Sequence, residues 1–417
     1  MTHGWLTDLK LALRNVLRHR RRSAMGVSAV AFGVVAVILA NSFIDWALWA
    51  MRETTIRSQF GHVQVARKGY LDAGAAEPDK FLIDENAPER QQLRALPYVR
   101  VVAPRVSFSG LLAFGDSTVS FIGEGVDPVD EAAMQSSLRL PRAAINIAQG
   151  EDLSSDEPMG FVLGEGLAQS IGARVNDKVV LLVNTPGGGV NGIEGRVRGV
   201  FSTITKAFDD SALRVNRSAA HTLLRSTGDH RLVVLIERTE DTPGAVSDLQ
   251  RRFAANGLEF TPWSELADFY NKSAALFSKQ TRFVALVIAF IIVLSIMNIM
   301  TMSVLERTGE IGTAMALGVP RARILRQFLL EGLLLGTAGG ALGVLVGALL
   351  ANWISTIGIP MPPPPGQSWG YRGQMLLSAP TLLQAFVLAL LTTLAASLYP
   401  AYKASRQVIV DALRTNR

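Results

Sequence analysis

FVALVIAFIIVLSIMNIMTMSVL (283–305) runs for 23 residues without a charged side chain. A short polar segment, ERTGEIGTAMALGVPRARILRQ (306–327), follows it, and GLLLGTAGGALGVLVGALLANWISTI (332–357) then runs another 26 without charge. About 18 uncharged apolar residues already suffice for a helix to cross a bilayer. The stretch therefore reads as two membrane spans joined by a tight loop. Two further uncharged blocks, 24–44 and 380–402, bring the number of spans to four.

Composition agrees. The 417 residues are 49% hydrophobic and 18% charged, with mean hydropathy +0.26; a soluble domain carries about 25% charge. The chain is too apolar for a soluble enzyme and, between residues 51 and 275, too polar to be membrane throughout. It reads as a membrane protein of four transmembrane α-helices with a large α+β domain inserted between the first and second. The segments are 1–22, a cytoplasmic amphipathic helix; 23–50, the first span; 51–275, the large domain; 276–305, the second span, with a stalk starting near 264; 306–327, a cytoplasmic loop; 328–357, the third span; 358–378, a short outer loop; 379–402, the fourth span; and 403–417, a tail.

Orientation follows from Lys and Arg beside the spans. Lys10, Arg14, Arg18, Arg20, Arg21 and Arg22 precede the first. Arg307, Arg321, Arg323 and Arg326 lie between the second and third, and Lys403, Arg406, Arg414 and Arg417 follow the fourth. Residues 355–378 hold only Arg372. Both termini and the 306–327 loop are thereby placed in the cytoplasm. The large domain is placed in the periplasm, at a bacterial inner membrane. The net charge of +6 has this membrane explanation, and no nucleic-acid partner is expected. A secretory signal would have an apolar stretch of about 7–15 residues and a small-residue cleavage site; the first block is longer and lacks one, so it reads as a retained helix. Trp5, Leu6, Leu9, Leu13, Val16 and Leu17 recur at helical spacing ahead of it. They suit either an interfacial helix or a basic lead-in to the span.

In the large domain, HVQVA (62–66), RVVAPRVSF (100–108), TVSFIGEGV (118–126), KVVLLV (178–183), GRVRGVF (195–201) and RLVVLIE (231–237) read as strands. Helical stretches at 89–96, 166–171, 218–224 and 244–255 intervene. This predicts an α+β domain with helices packed on one face of the sheet. Pro186, Gly187, Gly188 and Gly189 sit in NTPGGGVNG (184–192), a long hairpin tip or a contact loop for an envelope partner. SELADFYNKSAALFSKQTRFV (264–284) contains neither Pro nor Gly. A helix from 264 to 305 would extend about 63 Å, twice the ~30 Å hydrocarbon core, and residues 44–60 could project likewise. Two such rods would make a lever between membrane and domain.

Several chemistries are missing. There is no GxxxxGK[ST] nucleotide cradle, no GxSxG elbow and no HExxH. The five histidines are scattered, so no metal site and no catalytic residue is expected. The absence of cysteine removes disulfides and thiol chemistry. Uncharged spans argue against an ion channel. Positive signals are structural. Gly332, Gly336, Gly340, Gly343 and Gly347 give repeated small-xxx-small spacing for close helix packing in lipid. The proline-rich turn at 358–371 should be extended and stiff. In the 306–327 loop, Glu306, Arg307 and Glu310 alternate in sign, and Ile311, Met315 and Leu317 supply apolar contacts. The Gly318–Val319–Pro320 break then separates this short helix from the next. A short helix presented between two spans can dock in a partner's groove.

ALRNVLRHRRRSAMGVSAVAFGVV (12–35), ERTGEIGTAMALGVPRARILRQFLLEG (306–332) and YPAYKASRQVIVDALR (399–414) together resemble the FtsX-like permeases. These include the MacB-type exporters and the lipoprotein-releasing LolC/LolE-type permeases of the type VII ABC transporters. GHVQV (61–65) looks like the lipoprotein-releasing branch. The resemblance implies a MacB-like periplasmic domain and a homo- or heterodimer of permease protomers. It also implies a cytoplasmic ABC ATPase in two copies, binding ATP and Mg while this chain holds no cofactor. Glu306, Arg307, Glu310, Ile311 and Met315 would couple to that ATPase, and hydrolysis would move the stalks, a mechanotransmission. The implied cargo is a lipoprotein or another hydrophobic substrate, with membrane lipids and a periplasmic chaperone or adaptor as partners. Tripartite drug or peptide efflux, and relay to a cell-wall hydrolase without transport, are the alternatives.

Overall fold

The computed structural model describes the chain apart from residues 1, 75–77, 137–144, 186–187, 204–205, 363–370 and 408–417. It divides into two units: Met1–Leu48 with Ala274–Ile359 and Gly373–Arg417, and Trp49–Ser273 with Pro360–Arg372.

The first unit is helical. The spanning helices are Arg20–Thr55, Asp268–Glu306, Arg321–Ile357 and Ala379–Ser405; each is long and apolar enough to cross a membrane. An N-terminal helix, Thr2–Arg18, ends one residue before the first of them, so the basic run at 20–22 opens the span rather than closing the amphipathic segment. The second spanning helix starts at Asp268, not near 264. Trp263–Leu266 forms a separate turn, and Ala267 (φ −87°, ψ 59°) interrupts the rod. Trp263 packs edge-on against Tyr270, and the Asn271 amide donates to the Ser264 carbonyl at 2.7 Å. Local side-chain contacts thus hold a kink that neither Pro nor Gly announces. The remaining 39 residues extend about 58 Å.

Val30, Val34 and Ile38 of the first spanning helix meet Ile292, Ile296 and Met300 of the second and Leu335 of the third. The glycines of the third helix serve two neighbours rather than one. A Cβ at Gly332, Gly336 or Gly340 would meet Ser397, Thr393 or Phe386 of the fourth helix. A Cβ at Gly343 or Gly347 would meet Val34 or Ile38 of the first, and Gly339 faces Val30. One row at i, i+4, i+8 faces each partner, so the third helix is the central one of the three.

Among the described residues, the main sheet of the second unit has ten strands: β1 Val63–Arg67, β2 Val99–Phe114, β3 Ser117–Val126, β4 Asn146–Gly150, β5 Gly160–Gly164, β6 Lys178–Asn184, β7 Val190–Ser202, β8 Ala212–Asn216, β9 Arg231–Ile236 and β10 Leu258–Pro262. β10, β1, β9 and β2 pair side by side in antiparallel fashion. Beyond them the pairings β2–β3, β3–β8, β8–β5, β5–β7, β7–β6 and β6–β2 return to their start, closing six strands into a ring. A simple sheet with helices on one face is therefore corrected to an open sheet running into a small barrel. Closure removes sheet edges, and it is possible because the 16-residue β2 pairs with β9 along its first half and β6 along its second. Phe108, Phe121, Phe161, Leu163, Leu181 and Leu213 fill the ring region, with Leu167 and Leu223 from flanking helices. Val63, Leu93, Leu232, Leu249 and Phe260 form the core of the open part.

Where the chain leaves the first spanning helix, Gly61 (φ +64°) turns into β1; a Cβ there would lie 2.5 Å from Val233. The next residue, His62, is buried. Its Nδ1 accepts from the Ile236 amide at 3.1 Å, while Nε2–H donates to the Thr239 hydroxyl at 2.9 Å, which in turn donates to Glu53 at 2.7 Å. Burial, reinforced by Arg57 and Arg52, pushes its pKa down to about 3. A proton on Nδ1 would set two donors face to face. Below pH 6.5 the unfolded chain takes up a proton that the folded chain refuses, so stability falls as pH drops from about 6.5 towards 3. Between pH 7 and 5 this one group should cost about 2 kcal/mol. Asp209, raised by burial to about 6, acts in the opposite sense over the same interval. The test is therefore a difference: urea unfolding of wild type and His62→Gln at the two pH values, the variant losing about 2 kcal/mol less on acidification. Equal losses would refute the assignment.

Candidate functional site

The loop between the second and third spanning helices folds as a nine-residue helix, Thr308–Ala316. Gly318 stops it. At φ +90° its amide reaches the Met315 carbonyl and the Val319 amide reaches Ala314, a left-handed cap of the kind glycine supplies. Pro320 then opens the third spanning helix at its first turn, where a missing N–H costs nothing.

The five residues expected to couple to an ATPase divide into two groups. Ile311 and Met315, one turn apart, are buried against the cluster containing Val304, Ile324 and Phe328. Arg307 is buried as well. Its Nη1 donates to both carboxylate oxygens of Glu331 at 2.8 and 3.2 Å, and its guanidinium lies 5.3 Å over the Phe328 ring. These three hold the short helix from behind; they do not form its outer surface. Glu306 and Glu310 are exposed. Glu306 pairs with Arg22 of the first spanning helix, and Glu310 with Arg18 of the N-terminal helix at 3.5 Å. Within the short helix Glu310 and Thr313, at i and i+3, share an exposed face. Glu306, the last residue of the second spanning helix, and Leu317, the residue that caps the short one, flank that face and are exposed as well. Leu317 is 82% exposed, an apolar side chain standing alone at the end of that face.

Residues the sequence reading did not single out complete the arrangement. Glu331 also accepts from Asn15 at 2.7 Å. Asp8 is buried between Arg323, at 2.9 Å, and Arg326; burial works to raise its carboxyl, and the two guanidiniums outweigh it, holding it below the usual range. The N-terminal helix thus docks through Asp8, Ala12 and Asn15 and leaves Leu9, Leu13 and Leu17 exposed. Glu331 had a legible signal: a lone carboxylate at the brink of an uncharged block calls for a partner.

Of the hairpin tip, Pro186 and Gly187 lie outside the described residues. Gly188 (φ +78°) and Gly189 close the turn, with the Thr185 amide donating to the Gly189 carbonyl at 2.7 Å.

Comparison with known proteins bears on both units. The family described as MacB-like periplasmic core domain matches residues 23–252, more than half of the chain, and the FtsX-like permease C-terminal family matches residues 282–409. The chain is an FtsX-like permease with a MacB-like periplasmic core domain. This permease is similar to the macrolide export ATP-binding/permease protein MacB of Shewanella sp. (strain ANA-3), at 27% identity over 97% of this chain and 60% of that protein. It is likewise similar to the MacB protein of Bordetella avium (strain 197N), at 25% over 97% and 59%. The permease thus spans about three-fifths of the length of these relatives. Among solved structures, the periplasmic region of MacB from Actinobacillus actinomycetemcomitans aligns over 52% of this chain and 95% of that one, with 16% identity and a TM-score of 0.36. The extracellular domain of the ABC-type transporter YknZ from Gram-positive bacteria covers 48% and 98%, at 10% and 0.34.

Proposed function

We propose that this permease is a subunit of an ABC transporter that works by mechanotransmission. An ATPase on the cytoplasmic side, binding ATP and Mg, docks on the exposed face of the Thr308–Ala316 helix. The observation that carries the reading is the two-sided build of that helix. Arg307, Ile311 and Met315 key it to the bundle, while Glu306, Glu310, Thr313 and Leu317 remain outward. A load applied to the outer face passes directly to the third spanning helix through Glu331 and to the first through Arg22. The spanning helices carry it to the periplasmic domain, and a hydrophobic or lipidated substrate is displaced on that side. The names of the relatives favour export of a macrolide-like drug; export of a peptide with an adaptor would follow the same route. Release of a lipoprotein, favoured by the GHVQV segment (61–65), uses the same machinery. The permease acts as a dimer, homo- or heteromeric, with both termini in the cytoplasm.

Leu317→Asp tests the docking face. An apolar anchor buried in a partner contributes about 2 kcal/mol, so the variant should retain at least tenfold less ATPase on mild-detergent purification. Its own melting temperature should be unchanged, because the side chain touches little within the chain. Undiminished ATPase recovery would remove the proposal. Depletion of the permease separates the two cargoes: lipoproteins retained in the inner membrane mark one, heightened macrolide sensitivity the other.

A further inference from the structure

The first spanning helix ends in a π-turn, Ile56–Phe60, closed by the Gly61 amide on the Ile56 carbonyl. A helix end leaves carbonyls without intrahelical donors and carries partial negative charge. Here two arginines of the sheet supply the donors. Arg214 of β8 donates to the Ser58 carbonyl at 2.9 Å, and Arg105 of β2 to the Gln59 carbonyl at 2.8 Å. Arg57, within the turn, donates to the Met134 carbonyl at 3.1 Å.

Both sheet arginines are almost wholly enclosed, Arg105 at 0% and Arg214 at 4% exposure. Glu131, on the Pro128–Ser136 helix, accepts from Arg105 at 3.0 and 3.1 Å and from Arg214 at 3.3 Å. Glu124 of β3 accepts from Arg105 at 3.5 Å, from Arg214 at 3.4 Å and from Arg231 of β9. Three arginines against two glutamates leave positive charge facing the negative helix end. Beneath the turn, Ile56 fills an apolar socket of Val101, Ala103, Met134, Val233 and Leu235.

A buried ion cluster is poor evidence for stability, since apolar residues of the same volume often do as well. What this cluster does, and apolar residues could not, is bind backbone carbonyls of the helix end to four strands and a helix at once. We propose that Arg105 and Arg214, oriented by Glu124 and Glu131, are positioning residues of a force-transmitting joint. Displacement of the first spanning helix then enters β2, β3, β8 and β9 together instead of being absorbed by the turn. The inference rests on the mechanotransmission reading above.

The chain has no cysteine, so spin labels can be placed freely in the full-length permease in lipid nanodiscs. Met51→Cys with Thr118→Cys reports helix end against sheet; Thr118→Cys with Arg251→Cys reports the domain alone. Arg214→Lys keeps the charge but loses the fork that spans Ser58 and the two glutamates; Glu131→Gln loosens the same fork from the other side. In either variant the first distance distribution should broaden by about twofold while the second keeps its width. A first distribution as narrow as wild type in both variants overturns the joint. So does equal broadening of both pairs in both variants, which is plain loss of folding. Failure of the mechanotransmission reading would show elsewhere, as wild-type permease that captures no ATPase in the Leu317 experiment.

Discussion

Glu331→Leu is expected to destabilise the helical unit by about 3 kcal/mol, the cost of stranding one member of a buried ion pair. Glu331 is 4% exposed and faces Arg307 at 2.8 Å, with Asn15 as a second donor. Removing the carboxylate leaves a guanidinium enclosed under Phe328 with only the exposed Glu310, at 3.4 Å from its Nε, as counter-charge. It also removes the polar tie between the start of the Thr308–Ala316 helix and the third spanning helix, 24 residues along the chain from Arg307 to Glu331, and leaves the apolar contact of Ile311 and Met315 with Ile324 and Phe328. Thermal unfolding in detergent should show the loss, and limited trypsin cleavage at Arg321 and Arg323 should accelerate. The double variant Arg307→Met/Glu331→Leu removes both charges and should regain most of the stability, as apolar replacement of a whole buried pair does. It should nevertheless keep the fast cleavage, because directionality of the contact is lost. A single variant as stable as wild type, or a double variant no better than the single, would contradict this account of the site.

The second large effect is Gly336→Leu. A Cβ at this position would lie 2.1 Å from Thr393 Oγ1, and that hydroxyl is tied to the Ala389 carbonyl at 2.8 Å, so it has nowhere to rotate without losing a partner. The backbones of the third and fourth spanning helices must separate, at a cost of about 3 kcal/mol. Gly26→Ala is the contrast, since its Cβ meets Leu335 at an ordinary 3.6 Å. There the gain in helix propensity should leave stability unchanged or slightly raised. Parallel melts of the two variants read the difference directly. If both behave alike, close approach of the third and fourth helices is not what the glycines provide.

The reach of sequence reasoning varies across the chain for identifiable reasons. The hydrophobic blocks were legible because span length is set by bilayer thickness and measured along one segment. The loop helix and its Gly318 stop were legible because capping is a contact between near neighbours. The five coupling candidates lie on the loop helix or just before it, and the sequence does not sort them by exposure. Arg307, Ile311 and Met315 look as available as Glu310 and Leu317 until Phe328 and Glu331 are brought over them. The kink at Ala267 escaped because a tryptophan–tyrosine contact, not a breaker residue, holds it.

Local chemistry by itself determined four spans, a large α+β insertion, the short loop helix and the FtsX-like and MacB-like resemblance that the family comparison bears out, since each depends on residues within one or two turns or on charge beside a span. Tertiary structure alone decided which glycine row faces which helix, that β2, β3, β8, β5, β7 and β6 close into a ring, and that Arg105 and Arg214 grip the end of the first spanning helix. Those contacts join residues tens to hundreds of positions apart, and their energies depend on distance and burial, quantities that have no value until the chain is folded.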